Sequence, residues 1–260
     1  MPRPIPILLL LLLTALLSRG ETTGPSHYEQ GVAAFEKKDW PAAREAFEAV
    51  IEKDQLISGD LLFNLGNTLF REEKPGLAAL WYRRAVLLNP LDGAARQNLR
   101  LLRGRTGFHE FDTNLSQTIA SVLKHSQWKW LAAGAGWATA LALGALLFLR
   151  LRGGAQILAW CLAALGAPLA GVALWGAAAS RTPEDVSRRA VVTQADVAVL
   201  SAPTETAGVI IDVPPGSEVI VHETRETWSY VEVPGDQPRF GWVRGQSLAR
   251  LWPYSPSLLN

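Results

Sequence analysis

The spacing of hydrophobic positions changes character along the chain. Residues 27–103 carry apolar side chains at helical spacing, interrupted by charged and small residues, which predicts amphipathic helices. Residues 130–149 and 155–179 are almost wholly apolar. Each run reaches the roughly 20 residues that a helix needs to cross the ~30 Å hydrocarbon core of a bilayer. From residue 190 the apolar positions form short runs of Val and Ile bounded by turn residues, the pattern of strands. The expectation is a multidomain membrane protein: an all-α array, a two-helix transmembrane hairpin and a small all-β barrel.

The helical segment repeats itself. Gly31, Ala43, Phe47 and Val50 recur 35 residues later as Gly66, Ala78, Tyr82 and Ala85. Small residues at these points let two helices approach, and the aromatic ring fills the space beside them. Pro90 ends the second copy, because proline cannot continue a helix. Glycine on a first helix, alanine and an aromatic on a second, then a closing proline resemble the tetratricopeptide repeat. The second copy matches more tightly. In the first, Gln30 replaces the leucine before the glycine and Gln55 the closing proline. An array is expected over residues 24–103, with a capping helix at 94–102 whose Leu99, Leu101 and Leu102 cover its end. Such repeats hold partners on the inner face of each first helix. Tyr28, Val32, Phe35, Asn64, Asn67, Phe70 and Arg71 fall on that face, followed by Gln97 and Asn98 on the cap. The plainer reading makes the aromatics partly core and the polar groups solvated, and both readings stand at this point.

The link between the apolar runs carries Arg150 and Arg152 and is too short to recross, so the hairpin at 128–179 returns the chain to its starting side. The positive-inside rule puts that link in the cytoplasm. Lys124 and Lys129 before the hairpin and Arg181 after it weaken the bias. The N-terminus supplies a second argument. Arg3, an apolar stretch at 5–17, then Ser18 and Gly20 outline a signal peptide over residues 1–20. Arg19 is atypical there, so a cleaved signal and a retained anchor both fit. Either one exports the helical segment after it. Both soluble parts are therefore expected on the periplasmic, extracytoplasmic side of a bacterial inner membrane.

Neither membrane run holds a charged or histidine residue, which argues for an anchor and against an ion path. Gly136, Ala140 and Gly144 on the first run, and Gly166, Ala170, Ala163, Ala167 and Gly171 on the second, predict close helix packing. Pro168 predicts a kink. Trp128, Trp130 and Trp175 are expected at headgroup level. Residues 104–127 read as a polar connector in which His109, Glu110 and Asp112 are solvated, with 116–124 forming a short amphipathic helix on the membrane surface.

Composition narrows the function classes. Of 260 residues 48% are hydrophobic, and the N-terminal and hairpin segments account for the excess, leaving enough for two small folded units. Lys and Arg number 25 against 24 Asp and Glu, with no basic block, so nucleic acid is a poor partner. The single cysteine, Cys161, lies in the second apolar run, which excludes an intrachain disulfide and a cysteine metal site. His27, His109, His125 and His222 sit in separate segments. There is no Gly-x-Ser-x-Gly, His-Glu-x-x-His or phosphate loop. No enzymatic activity, cofactor or metal is expected.

After a polar linker at 180–189, strands are expected at 190–193, 197–200, 209–213, 218–222, 229–233 and 241–243. Pro203, Pro214-Pro215-Gly216 and Pro234-Gly235 supply turns. So many short strands in so few residues fit a small barrel. Ala190-Val191, Ser201-Ala202-Pro203, Pro215-Gly216 with Val219, Trp228-Ser229-Tyr230-Val231 and Gly241-Trp242-Val243 resemble, in that order, the bacterial SH3-like domain, here residues 190–252. Many of its members carry an arginine before the serine of the second strand. Leu200 stands there in this chain, so a cell-wall ligand site does not carry over. Trp242 is expected in the core, and Trp228 with Tyr230 on a binding surface.

Signal peptide, tetratricopeptide array, membrane hairpin and exported SH3-like domain, in that order, resemble the BatE-like Bacteroides aerotolerance (Bat) proteins. The resemblance rests on the second repeat, on Asn98-Leu99 and on Trp228 with Gly241-Trp242, and its parts cover nearly the whole chain. It implies an envelope scaffold linked to aerotolerance or stress, encoded beside MoxR-type ATPases, with von Willebrand A-domain membrane proteins as partners and no reaction. A receptor that senses cell-wall peptide through the SH3-like domain is the alternative, against which the cytoplasmic part is too small for an output domain. An envelope enzyme is a third reading, which lacks a catalytic motif.

Overall fold

The computed structural model describes residues 26–111, 115–180 and 182–254. The expected signal peptide and Asp112 lie outside them. The chain divides into two compact units, Met1–Leu56 and Ile57–Asn260.

In the first unit, α1 (His27–Glu36) and α2 (Trp40–Glu52) form an antiparallel pair. Ser26 and Glu29 cap α1 reciprocally, and Asp39 caps α2, satisfying amides that the first turn leaves unpaired. Gly31 lies directly on Phe47: a Cβ there would come within 2.6 Å of the ring. The second unit opens with the same arrangement. Its α3 (Gly59–Arg71) and α4 (Pro75–Leu88) pack so that a Cβ on Gly66 would meet the Tyr82 ring, also at 2.6 Å. The turns match as well, with Lys38 at φ 63° and Glu73 at φ 59°. The repeat in sequence is thus a repeat of contacts.

Helix α5 (Gly93–Thr106) packs on α4 through Ala95 and Leu102. Of the three leucines expected to cover the end, Leu102 is buried, Leu99 half-buried and Leu101 exposed. The helix outruns residues 94–102 at both ends. Asp92 accepts from the amides of Ala94 and Ala95, and Gly107 at φ 68° provides the left-handed exit that glycine adopts without strain.

Short α6 (Leu115–Ala120) precedes the two long helices, α7 (His125–Phe148) and α8 (Gly154–Ala179). Their 24 and 26 residues span about 36 and 39 Å at 1.5 Å per residue, and both are long and apolar enough to cross a membrane. They pair through small residues, but not all of those expected. Ala132, Ala135 and Ala142 of α7 are buried with Ala159, Gly166, Ala173 and Gly176 of α8, and Gly166 abuts Thr139. A Cβ on Gly136 or Gly144 would meet nothing within 4 Å. One residue along a helix is about 100° around its axis, so turning Ala135 inward turns the 136/140/144 row aside. Trp128 also departs from expectation. It is buried on Gly176 and donates from Nε1 to the Ala120 carbonyl at 2.8 Å, pinning α6 to the hairpin base.

After α9 (Pro183–Ser187) come β1 (Arg189–Val192), β2 (Val197–Leu200), β3 (Val209–Val213), β4 (Glu218–Arg225), β5 (Trp228–Val233), β6 (Arg239–Arg244) and β7 (Leu248–Arg250). They form one antiparallel sheet in the order β3-β2-β6-β5-β4-β1-β7. Valine supplies most of its core: Val192, Val197, Val199, Val213, Val219, Val231, Val233 and Val243 are buried together with Ala190. β-Branched side chains suit this pleated, closely packed surface.

Candidate functional site

The expected groove residues fall into two settings. In the first unit, the Tyr28 ring lies 5.7 Å from Phe47 and that of Phe35 lies 5.0 Å from Trp40, while Val32 is half-buried. These side chains serve the packing of their own helix pair.

In the second unit, Asn67 joins three helices. Its Oδ1 accepts from the Tyr82 hydroxyl at 2.8 Å and from Nδ2 of Asn98 at 3.0 Å. The amide is therefore oriented from both sides, and Asn67 contributes to packing, unlike a merely solvated groove residue. Burial pushes the Tyr82 phenol up to about 12, against smaller opposing effects of Asn98 and Arg71. Around this core the surface is open. Arg71 and Gln97 are exposed, and Asn64 is half-buried beside the Thr68 hydroxyl, which donates to its carbonyl. Phe70 lies under the Arg105 guanidinium at 5.0 Å. The α3/α5 face thus presents a fixed amide pair, Asn67 and Asn98, beside longer polar arms.

On the sheet, Tyr230 sits between Trp242 and Phe240, with centroids 5.2 and 6.4 Å away. Trp242 is buried, with Arg225 over its ring at 5.1 Å. Trp228 is half-buried under Arg244 at 5.2 Å, and Arg244 pairs with Glu205. The cross-strand pairs Trp228↔Arg244 and Tyr230↔Trp242 bring these groups to one face.

Sequence reading missed a third feature, the seam between the helices and the sheet. Tyr82 is followed by two arginines that are both buried. Arg83 donates from Nη1 to the Gly216 carbonyl at 2.7 Å, and Arg84 donates from Nε and Nη2 to the carbonyls of Leu251 and Arg250 at 3.0 and 2.9 Å. Burial pushes the Arg83 pKa down, opposed by Glu218 and Glu110, and brings Arg84 down to about 10. Arg84 stays charged at neutral pH. Arg84 also stacks on Trp81 at 4.4 Å, and Arg83 on Phe108 at 4.6 Å. Main-chain contacts tighten the seam: Gly76 lies against the Thr193 backbone, where a Cβ would be 2.5 Å from its carbonyl oxygen. Gly216, at φ 94°, sits close to Phe108 and Ala79, where a Cβ would come within 3.0 and 3.1 Å of their side chains.

The connector takes part in this seam and is not the solvated loop that the sequence suggests. Phe108 is buried, the His109 carbonyl accepts from the Glu218 amide at 2.8 Å, and the His109 amide donates to Ser217 Oγ at 3.0 Å. Glu110 pairs with Arg103 at 2.6 Å and approaches Arg83 at 3.7 Å. Glu218 in turn pairs with Arg189 at 2.7 Å. The only hint in the sequence is a pair of arginines in mid-helix beside a core aromatic. Their partners are carbonyls 133 and 167 residues away, which leave no side-chain pattern to read. These contacts join the chain before the two long helices to the chain after them.

Comparison with protein-family models, curated proteins and solved structures returns no match to this chain.

Proposed function

We propose that the protein is a membrane-anchored scaffold of the cell envelope that binds other proteins. In this reading each helix pair is a tetratricopeptide-type unit, the sheet is an SH3-like barrel, and the long helices are a transmembrane hairpin with the Arg150/Arg152 link in the cytoplasm. The soluble parts are on the exported side. The observation that carries the reading is the α3/α5 face, where the Asn67 and Asn98 amides are held in place while Arg71 and Gln97 remain exposed. An oriented amide pair suits the backbone of an extended peptide, since Asn67 Nδ2 can donate and Asn98 Oδ1 can accept while Asn67 Oδ1 is held by Tyr82 and Asn98. The resemblance to Bat proteins makes a von Willebrand A-domain membrane protein the proposed partner.

A photo-crosslinking amino acid in place of Arg71 or Gln97, in cells, tests this. Both positions should trap the same envelope protein, and the exposed Leu91 in the α4–α5 turn should not. No adduct at either position, or the same adducts at all three, would remove the groove from consideration.

A further inference from the structure

The base of the hairpin carries a surface that none of the described residues covers. Helix α6 is held there by Trp128, whose indole donates to the Ala120 carbonyl and whose ring packs with Ala132 and Ala173, flanked by Leu123, Leu131 and Ala177. Ala120 is fully buried in this contact. Ile119, near the end of α6, and Val122, in the turn that follows it, are 45% and 53% exposed. Trp130, one turn into α7, is 79% exposed. Lys124 and Lys129, both exposed, lie between and beside these apolar groups. His125 Nδ1 lies 2.8 Å from Ser180 Oγ, which ties the start of α7 to the end of α8 and fixes the height of this base relative to both long helices.

We infer that this surface is a lipid-headgroup contact: Ile119, Val122 and Trp130 enter the acyl boundary while Lys124 and Lys129 meet lipid phosphates. The inference rests on the membrane reading of the hairpin. The occupant follows from continuity, because α7 runs from this base directly into the segment that the bilayer would surround. An apolar side bordered by lysines, at the level where a span begins, is the chemistry of an interfacial anchor. Of the two tryptophans at this base, Trp128 is buried inside the protein as the pin and Trp130 is exposed. Its neighbours, oriented by that pin, do the contacting. The hairpin then enters lipid at a height set by α6.

The test uses the full chain in lipid nanodiscs containing phosphatidylglycerol, with Cys161→Ser as background. A polarity-sensitive fluorophore is attached singly at Ile119→Cys, Val122→Cys, Leu141→Cys within α7, and Gln97→Cys on the exposed groove face. Lipids brominated either near the headgroup or deep in the chain serve as quenchers. Blue-shifted emission at 119 and 122, lost preferentially to the shallow bromine, is the expected result, with 141 quenched more by the deep bromine and 97 by neither. Replacing Lys124 and Lys129 by Gln should reduce the shallow quenching at 119 and 122. Quenching at 141 with water-like emission at 119 and 122 overturns the inference while leaving the membrane reading intact. Blue-shifted but unquenched emission at 119 and 122 shows a protein cover and also overturns it. Absence of quenching at 141 removes the membrane reading and the inference together.

Discussion

Replacing Arg84 by Ala should open the seam between helices and sheet without unfolding either. The side chain makes two charge-assisted bonds to adjacent carbonyls, at 3.0 and 2.9 Å, and lies against Trp81. Each such bond contributes about 1.5–3 kcal/mol, and truncation leaves two carbonyls without this partner. Allowing for partial rescue by entering water, the seam should weaken by about 3 kcal/mol, roughly a 100-fold change in its opening equilibrium. The Glu218 amide reports on this opening, because its partner is the His109 carbonyl across the seam. Native-state hydrogen exchange at Glu218 should therefore speed up about 100-fold, while the amide of Val231, in the middle of the sheet, keeps its protection. Lys in place of Arg84 should restore only part of it, since an ammonium lacks the planar fork that spans two neighbouring carbonyls. Unchanged exchange at Glu218 in the alanine variant would refute the reasoning, because the arginine would then not be holding the seam. Loss of protection at Val231 as well would mean that Arg84 supports the sheet itself.

Other consequences come from the same contacts. Gly76→Ala drives a methyl group into the Thr193 main chain, which cannot rotate away, so the seam should again open and cost about 1–3 kcal/mol, read by the same exchange measurement. Asn67→Ala should lower the thermal transition of the helices, by about 1–3 kcal/mol in stability, since Tyr82 and Asn98 lose their shared acceptor; Arg71→Ala, on an exposed site, should change it by less than about 0.5 kcal/mol. Tyr82 is neutral in both folded and unfolded chains below pH 10. Above that the unfolded phenol ionises first, so the Tyr82 contribution to stability should fall between pH 10 and about 12 by roughly 3 kcal/mol, read as the difference in denaturant midpoints between the unaltered chain and Tyr82→Phe across that range.

Much of the architecture could be read from sequence because it rests on local pattern. The 35-residue recurrence of Gly31/Gly66 and Phe47/Tyr82 is a recurrence of one steric contact, so residue type reveals it. Apolar length alone reveals the long helices. Strands β2 and β3 lie where alternation put them, whereas β4 and β5 extend through Arg225 and Trp228 into an exposed hairpin that has no buried face to impose a pattern. β7 was missed because Leu248–Arg250 is too short for alternation to register. Which small-residue row faces α8 depends on helix rotation, which composition does not encode. At the proposed groove, Arg71 and Gln97 are exposed, whereas Asn67 is fixed by Tyr82 and Asn98 through contacts that span 15 and 31 residues and leave no local pattern to read. The seam is the least legible of all, since it joins charged side chains to main-chain carbonyls.

The central claim is that the helices before the hairpin and the sheet after it share one exported compartment, with the hairpin in the membrane. Single cysteines in place of Arg71, Ser201 and Arg152, in a Cys161→Ser background, test it with a membrane-impermeant maleimide on intact spheroplasts. Labelling at positions 71 and 201 before lysis, and at 152 only after lysis, is the predicted result. Labelling of 152 in intact spheroplasts, or of just one of 71 and 201, would contradict the account.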